Sequence, residues 1–111
     1  MGMSNPSSLA EALNRLWSQF LPQIEERVST LECAAAALAG GFLTPAQCEE
    51  ASSAAHKLAG VLGTFGLDQG TELAREAELL YSSGPSSPSM LSGRPAALAA
   101  QLRTMLATRE K

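Results

Sequence analysis

The sequence is poor in the residues that most site chemistry needs. It has one histidine, two cysteines and one tryptophan in 111 residues, and aromatics make up only 5%. Each scarcity excludes a class of protein. A metal site takes three or four ligands at workable spacing, which His56 and the separated Cys33 and Cys48 do not supply. Two cysteines make no disulfide framework. Both sit in apolar helical patterns and are expected as buried, reduced thiols, which suits the cytoplasm. No apolar run reaches the roughly 18 residues of a membrane span, and Met1 to Ser8 lack the basic-then-apolar order of a signal peptide. No membrane role is therefore expected. A formal net charge of −3 without a basic run leaves no footprint for nucleic acid. There is no alternating run of β-branched residues to make strands. Phosphate-loop and dinucleotide glycine fingerprints are absent, so ATP binding is unsupported. Ser52 and Ser53 stand four and three residues before His56, but no oxyanion site or third group completes a hydrolase triad.

What remains is helix-forming material. Hydrophobic residues reach 45%, and Ala and Leu, both strong helix formers, supply much of it. The length suits one domain with a modest core. Residues 1–7 are small and polar and are expected to be disordered, with the domain spanning 8–111. Ser8 and Glu11 fit a capping box, and Leu9, Leu13, Leu16, Trp17 and Phe20 follow at helical spacing. Pro22 is expected to kink the chain there or to open a new helix. Leu21, Ile24, Val28, Leu31, Ala35 and Leu38 then mark a long amphipathic helix that ends at Gly40-Gly41.

Thr44-Pro45-Ala46-Gln47 starts the next helix, with Thr44 as cap, Pro45 in the first turn and Gln47 closing a capping box. That helix runs out near Thr64 to Gly66. Leu67 or Asp68 opens a third helix, with Leu73, Ala77 and Leu80 inward. Its like-charged Glu72 and Glu76 are expected to be offset by Arg75 with Glu78 or Glu72. Residues 84–93 are a Ser/Pro/Gly-rich loop. Pro95 begins the last helix, with Leu98, Leu102 and Met105 or Leu106 facing inward. Short connections make neighbouring helices antiparallel. The fold expected is all-α: an antiparallel up-down four-helix bundle with an additional N-terminal helical segment.

The chemistry concentrates in residues 54–66, Ala-Ala-His-Lys-Leu-Ala-Gly-Val-Leu-Gly-Thr-Phe-Gly. At about 100° per residue, Ala51, Ala55, Leu58, Leu62 and Phe65 form one apolar stripe. His56 points about 140° away from it, so it is expected in water. Glu49, Ser52, Ser53, Gly60 and Gly63 share its face, and all but Glu49 are small. Gly63 and Gly66 can help the helix to end. Gly60 is harder to explain that way, because the apolar pattern continues past it. A helix-interior glycine costs about 1 kcal/mol relative to Ala, and baring the helix for a partner's approach to the imidazole gives that cost a reason.

His-Lys-Leu-Ala-Gly-x-x-Gly-Thr-Phe-Gly-Leu resembles the phosphorylation motif of histidine-containing phosphotransfer (HPt) domains. The resemblance implies a histidine exposed on a helix of a four-helix bundle, relaying a phosphoryl group through Nε2 between receiver domains, or between a kinase and a receiver. It makes His56 the phospho-accepting residue. Lys57 and Gly60 match the flanking basic and small residues, and Val61 departs from the family, which often has a small polar residue there. Ser53 and Gly63 complete the expected phosphate- and partner-binding face.

Such a carrier asks little of its own chain. Histidine ordinarily titrates at about 6.5, so a neutral ring is available near pH 7. In-line phosphoryl transfer depends mostly on positioning and electrostatics. The resemblance implies that the receiver brings the aspartyl phosphate and Mg²⁺, so no cofactor is expected on this chain. The partners expected are a response-regulator receiver domain, a hybrid sensor histidine kinase, or both, with this chain a monomer. The alternative is a helical docking module that does not carry phosphate. A dimerising kinase core would need the ATP-binding segment that is missing from this stretch.

Overall fold

The structure, a computed structural model, describes residues 6–85, 90 and 92–109. They form four helices: α1 (Pro6–Ala39), α2 (Pro45–Thr64), α3 (Asp68–Ser82) and α4 (Arg94–Arg109). No strand occurs among the described residues. Each helix packs on its neighbours in sequence, and α4 returns to α1, closing an up-down bundle.

The ends of α2 are set by local chemistry. Thr44 Oγ1 accepts the Gln47 amide at 3.1 Å, and the Thr44 amide donates to Gln47 Oε1 at 2.8 Å. This reciprocal pair is the expected capping box, with Pro45 in the first turn. At the other end Gly66 takes φ +72°. Its amide reaches back to Gly63 O at 3.1 Å, and the Leu67 amide reaches Leu62 O at 2.9 Å. That Schellman closure needs a left-handed residue, so Gly66 is a stop signal. Gly63 lies inside the helix at ordinary φ and is not needed for the stop.

Among the described residues, the expected N-terminal helical segment is the first part of α1, one helix of 34 residues that runs through Pro22. Proline there removes one amide and frees the carbonyl of Ser18. Both residues face water, so solvent can satisfy that carbonyl and the helix continues. It begins at Pro6, ahead of the expected cap at Ser8. The disorder expected for 1–7 falls partly on residues 1–5, outside the described residues, and partly on Pro6 and Ser7, which are helical. The α1 helix is about 51 Å long against about 30 Å for α2, at 1.5 Å per residue. Of the run Leu9, Leu13, Leu16, Trp17 and Phe20, only Trp17 is buried, and Leu9 keeps 64% of its surface in water. Trp17 and Phe20 meet Phe65 edge to face, with ring centroids 5.2 and 6.2 Å apart.

Ile24, Val28 and Leu31 of α1 face Ala51, Ala55, Leu58 and Leu62 of α2 across the core. Tyr81 of α3 and Leu98, Leu102 and Leu106 of α4 complete it. Met105 is half-buried beside them, so Leu106 is the inward residue of the last turn. Met90, in the connection expected to be a loop, is also buried, while 86–89 and 91 lie outside the described residues. Cys48 is buried as expected, but Cys33 is exposed. It lies two positions past Leu31, about 200° round the helix, and so points away from the core.

Two ion pairs fasten α4. Arg94 donates to both carboxylate oxygens of Glu76, to Oε1 at 2.7 Å. Arg103 reaches Glu32 at 2.8 Å and Ser29 at 3.1 Å. The two guanidiniums hold the Glu76 and Glu32 carboxyls below their usual 4.5, chiefly through these hydrogen bonds. Glu76 is therefore partnered from α4, and the expected pairing of Arg75 with Glu78 or Glu72 is not what forms. Glu78 turns to His56 instead.

Candidate functional site

The α2–α3 pair carries the site, and three contacts fix its register. Ser52 Oγ lies 2.9 Å from Ser82 Oγ. His56 Nδ1 lies 3.0 Å from Glu78 Oε2. Thr71 Oγ1 donates to Ala59 O at 3.3 Å. Each step along α2 is matched by a step backwards along α3, so the helices are antiparallel and Glu78 falls beside the histidine.

His56 stands on the solvent side of α2 with 75% of its side chain exposed, and Glu78 is 31% exposed. An ionised carboxylate can only accept, so the Nδ1–H of His56 donates to Glu78. In the neutral ring this contact puts the proton on Nδ1 and leaves the lone pair on Nε2. The Glu78 backbone is itself held. Ser82 Oγ donates to its carbonyl at 2.7 Å. Ser52 is 3.4 Å from that carbonyl but 2.9 Å from Ser82 Oγ, the better acceptor for its single proton.

Two clefts flank the imidazole. One, of about 600 Å³, is lined by Cys48, Ser52, Ser53, Glu78 and Tyr81 as well as His56. The Tyr81 hydroxyl beneath it is buried with no hydrogen-bond partner. Burial, with a contribution from Cys48, pushes that phenol up to about 12. The other cleft, about 430 Å³, is floored by Ala59 and Gly60 and walled by Arg75, Glu78 and Leu79.

The expected site residues fall into two groups. His56, Ser53 and Gly60 are exposed and border these clefts. A Cβ on Gly60 would meet nothing within 4 Å, while one on Gly63 would meet Thr71 Oγ1 at 3.6 Å, an ordinary contact. By contrast, a Cβ on buried Gly70 would lie 2.6 Å from the Met105 thioether, so a neighbouring side chain fills that place. Among the described residues, neither backbone conformation nor packing requires glycine at 60. Lys57 is exposed but borders a different groove, between α1 and α2, with Glu26, Arg27 and Glu50. Sequence reasoning missed Glu78 and Arg75. Their link to His56 is a matter of inter-helix register, which no local spacing encodes. Among the described residues, no group of three His, Cys, Asp or Glu side chains could hold a metal ion. No helix among them is long and apolar enough to cross a membrane.

The family model of the Hpt domain matches residues 15–110 of the chain. The chain belongs to the Hpt domain family. It is also similar to the protein RcaC of Microchaete diplosiphon, with 39% identity over 66 residues. That match covers 60% of this chain and 10% of RcaC, so the chain corresponds to a small part of that protein. No solved structure matches it. Membership in the Hpt family gives the bundle a phosphorelay carrier role in two-component signalling.

Proposed function

We propose that His56 is the phosphoryl-carrying residue and that it exchanges the group with the aspartate of a receiver domain. The observation that carries this reading is the contact between His56 Nδ1 and Glu78, which leaves an exposed Nε2 as the nucleophile. The Nε2 lone pair attacks the phosphorus of a receiver's aspartyl phosphate. The N–P bond forms as the P–O bond to the aspartate breaks, and that electron pair leaves on the aspartate carboxylate. Nδ1 keeps its proton throughout. The ring therefore becomes cationic, and the Glu78 carboxylate beside Nδ1 stabilises that charge. The reverse step hands the group on.

The receiver or hybrid kinase brings the aspartyl phosphate with its Mg²⁺. This chain brings a fixed ring, an open face and a rigid bundle. Ser53, Gly60 and Gly63 keep that face low enough for close approach, and Lys57 adds a cation at its α1 side. This chain's own share of the chemistry lies within one bundle, so the working unit proposed is a monomer, acting in the cytoplasm. A docking module without phosphotransfer would have no use for the held tautomer. The test is to mix the protein with a phosphorylated receiver and weigh it. The wild type gains one phosphoryl group, acid-labile and base-stable, and His56→Gln gains none. Equal labelling of His56→Gln would refute the assignment.

A further inference from the structure

The phosphate-facing cation suggested by the sequence, Lys57, borders the α1–α2 groove and lies about 100° round α2 from His56. A different cation borders the histidine's own cleft. The register that sets Ser52 against Ser82 and His56 against Glu78 moves four residues on each helix. One more turn brings Gly60 level with Ala74 and Arg75. Ala74 is fully buried, whereas Arg75 is exposed and walls the cleft that runs from His56 over Gly60.

We propose that Arg75 is the cation that contacts the phosphoryl group on His56, with Gly60 leaving the room in which the guanidinium and the group meet. The proposal rests on His56 being the phosphoryl carrier. Three features support it. First, the reach is short. Gly60 is one helical turn from His56, about 5.4 Å, which an extended arginine side chain spans. Second, the guanidinium is uncommitted. Among the described residues no ion pair forms at Arg75; Glu76 is taken by Arg94 and Glu78 by His56. Third, the floor is bare, since a Cβ at Gly60 would stand in open space. Glu78 occupies Nδ1, so the phosphoryl group joins the ring at the other nitrogen, away from that carboxylate. A planar guanidinium suits two phosphoryl oxygens at once.

Phosphoramidate, a small phosphodonor, tests this without a receiver and therefore without any docking contribution. Its P–N bond breaks as the N–P bond to His56 forms, and ammonia leaves. The initial labelling rate and the ³¹P pH titration of the phosphohistidine are measured for wild type, Arg75→Ala, Arg75→Lys and Lys57→Ala. Arg75→Ala is expected to label about two- to fivefold more slowly, the range for one exposed ion pair. It should also raise the midpoint of the phosphoryl titration, because a cation favours the dianion. Arg75→Lys should keep most of the rate, and Lys57→Ala should change both measurements less than Arg75→Ala does. If Arg75→Ala matches wild type in both, or if Lys57→Ala shows the change instead, Arg75 is not that cation. If wild type takes no label on His56, the carrier reading itself falls and this proposal with it.

Discussion

Along one side of α2, Ala51, Ala55, Leu58 and Leu62 are entirely covered. On the opposite side His56 keeps three quarters of its side chain in water and Gly60 offers no side chain at all. The two faces share one backbone and the same strong caps. They differ in what completes them. The inner face is complete within the chain, because α1, α3 and α4 supply its neighbours. The outer face is complete only on its α3 side, where Glu78 orients the ring, and is otherwise open. Stability and the proposed chemistry are thus separated by about half a helical turn, and substitutions should sort by face.

The largest effect expected is on the inner face. Leu58→Ala or Leu62→Ala should cost about 2–5 kcal/mol in urea melts, the usual range for truncating a buried leucine. His56→Ala, two thirds of a turn from Leu62 in angle and on the water side, should cost under about 1 kcal/mol, as exposed ion pairs do. A large loss for His56→Ala would erase the distinction between the faces.

Gly60→Gln should reverse that pattern. Its melting should stay within about 0.5 kcal/mol of wild type, as for other surface changes. Transfer from a phospho-receiver should fall at least about tenfold, because small misplacements of reacting groups are costly. Full transfer activity would remove the case for a docking face, and collapse of the fold would show that Gly60 packs internally. Glu78→Ala should slow transfer about tenfold, the worth of one charge-assisted hydrogen bond, with little change in melting.

Tyr81 lies between the faces and sharpens the comparison. Its hydroxyl is buried and unpartnered, so Tyr81→Phe should leave stability unchanged or raise it by up to about 1 kcal/mol. The phenol's folded pKa lies above its ordinary 10.0, at about 12. That preference for the neutral form contributes stability that is fully present below pH 10.0 and is lost as pH rises toward about 12. Alkaline melts should show this loss in wild type and not in Tyr81→Phe.

The smallest effect belongs to the pairs on α4. The Glu32 and Glu76 carboxyls are held below 4.5, so their contribution is present above that pH and is lost as pH falls through the lowered values. Both pairs are well exposed, and solvent screening keeps each contribution small. Arg103→Gln should flatten the acid limb of the stability profile slightly and leave its neutral plateau within about 1 kcal/mol of wild type.

Much of this was legible in the sequence because it is local. The capping box at Thr44, the stop at Gly66, the buried stripe of α2 and the exposure of His56 all follow from spacing along one helix. The misreadings came from context. The apolar run from Leu9 to Phe20 has helical spacing, but spacing does not say whether a neighbouring helix extends far enough to cover it. Of the two outcomes expected at Pro22, the new helix does not form, because the freed carbonyl faces water and α1 continues. Cys33 was assigned inward by an apolar neighbourhood that surrounds the helix on more than one side. Glu78 and Arg75 lie 22 and 19 residues from His56, and only the packing of α3 on α2 brings them to the ring.

The most direct measurement is a long-range ¹H–¹⁵N spectrum of the His56 ring, recorded before and after phosphorylation by a phospho-receiver. The account predicts the Nδ1–H tautomer in the free protein, and phosphorus coupling to Nε2 with Nδ1 still protonated in the phosphorylated one. A free ring protonated on Nε2, a phosphoryl group on Nδ1, or a phosphorylated protein whose His56 spectrum is unchanged would contradict it.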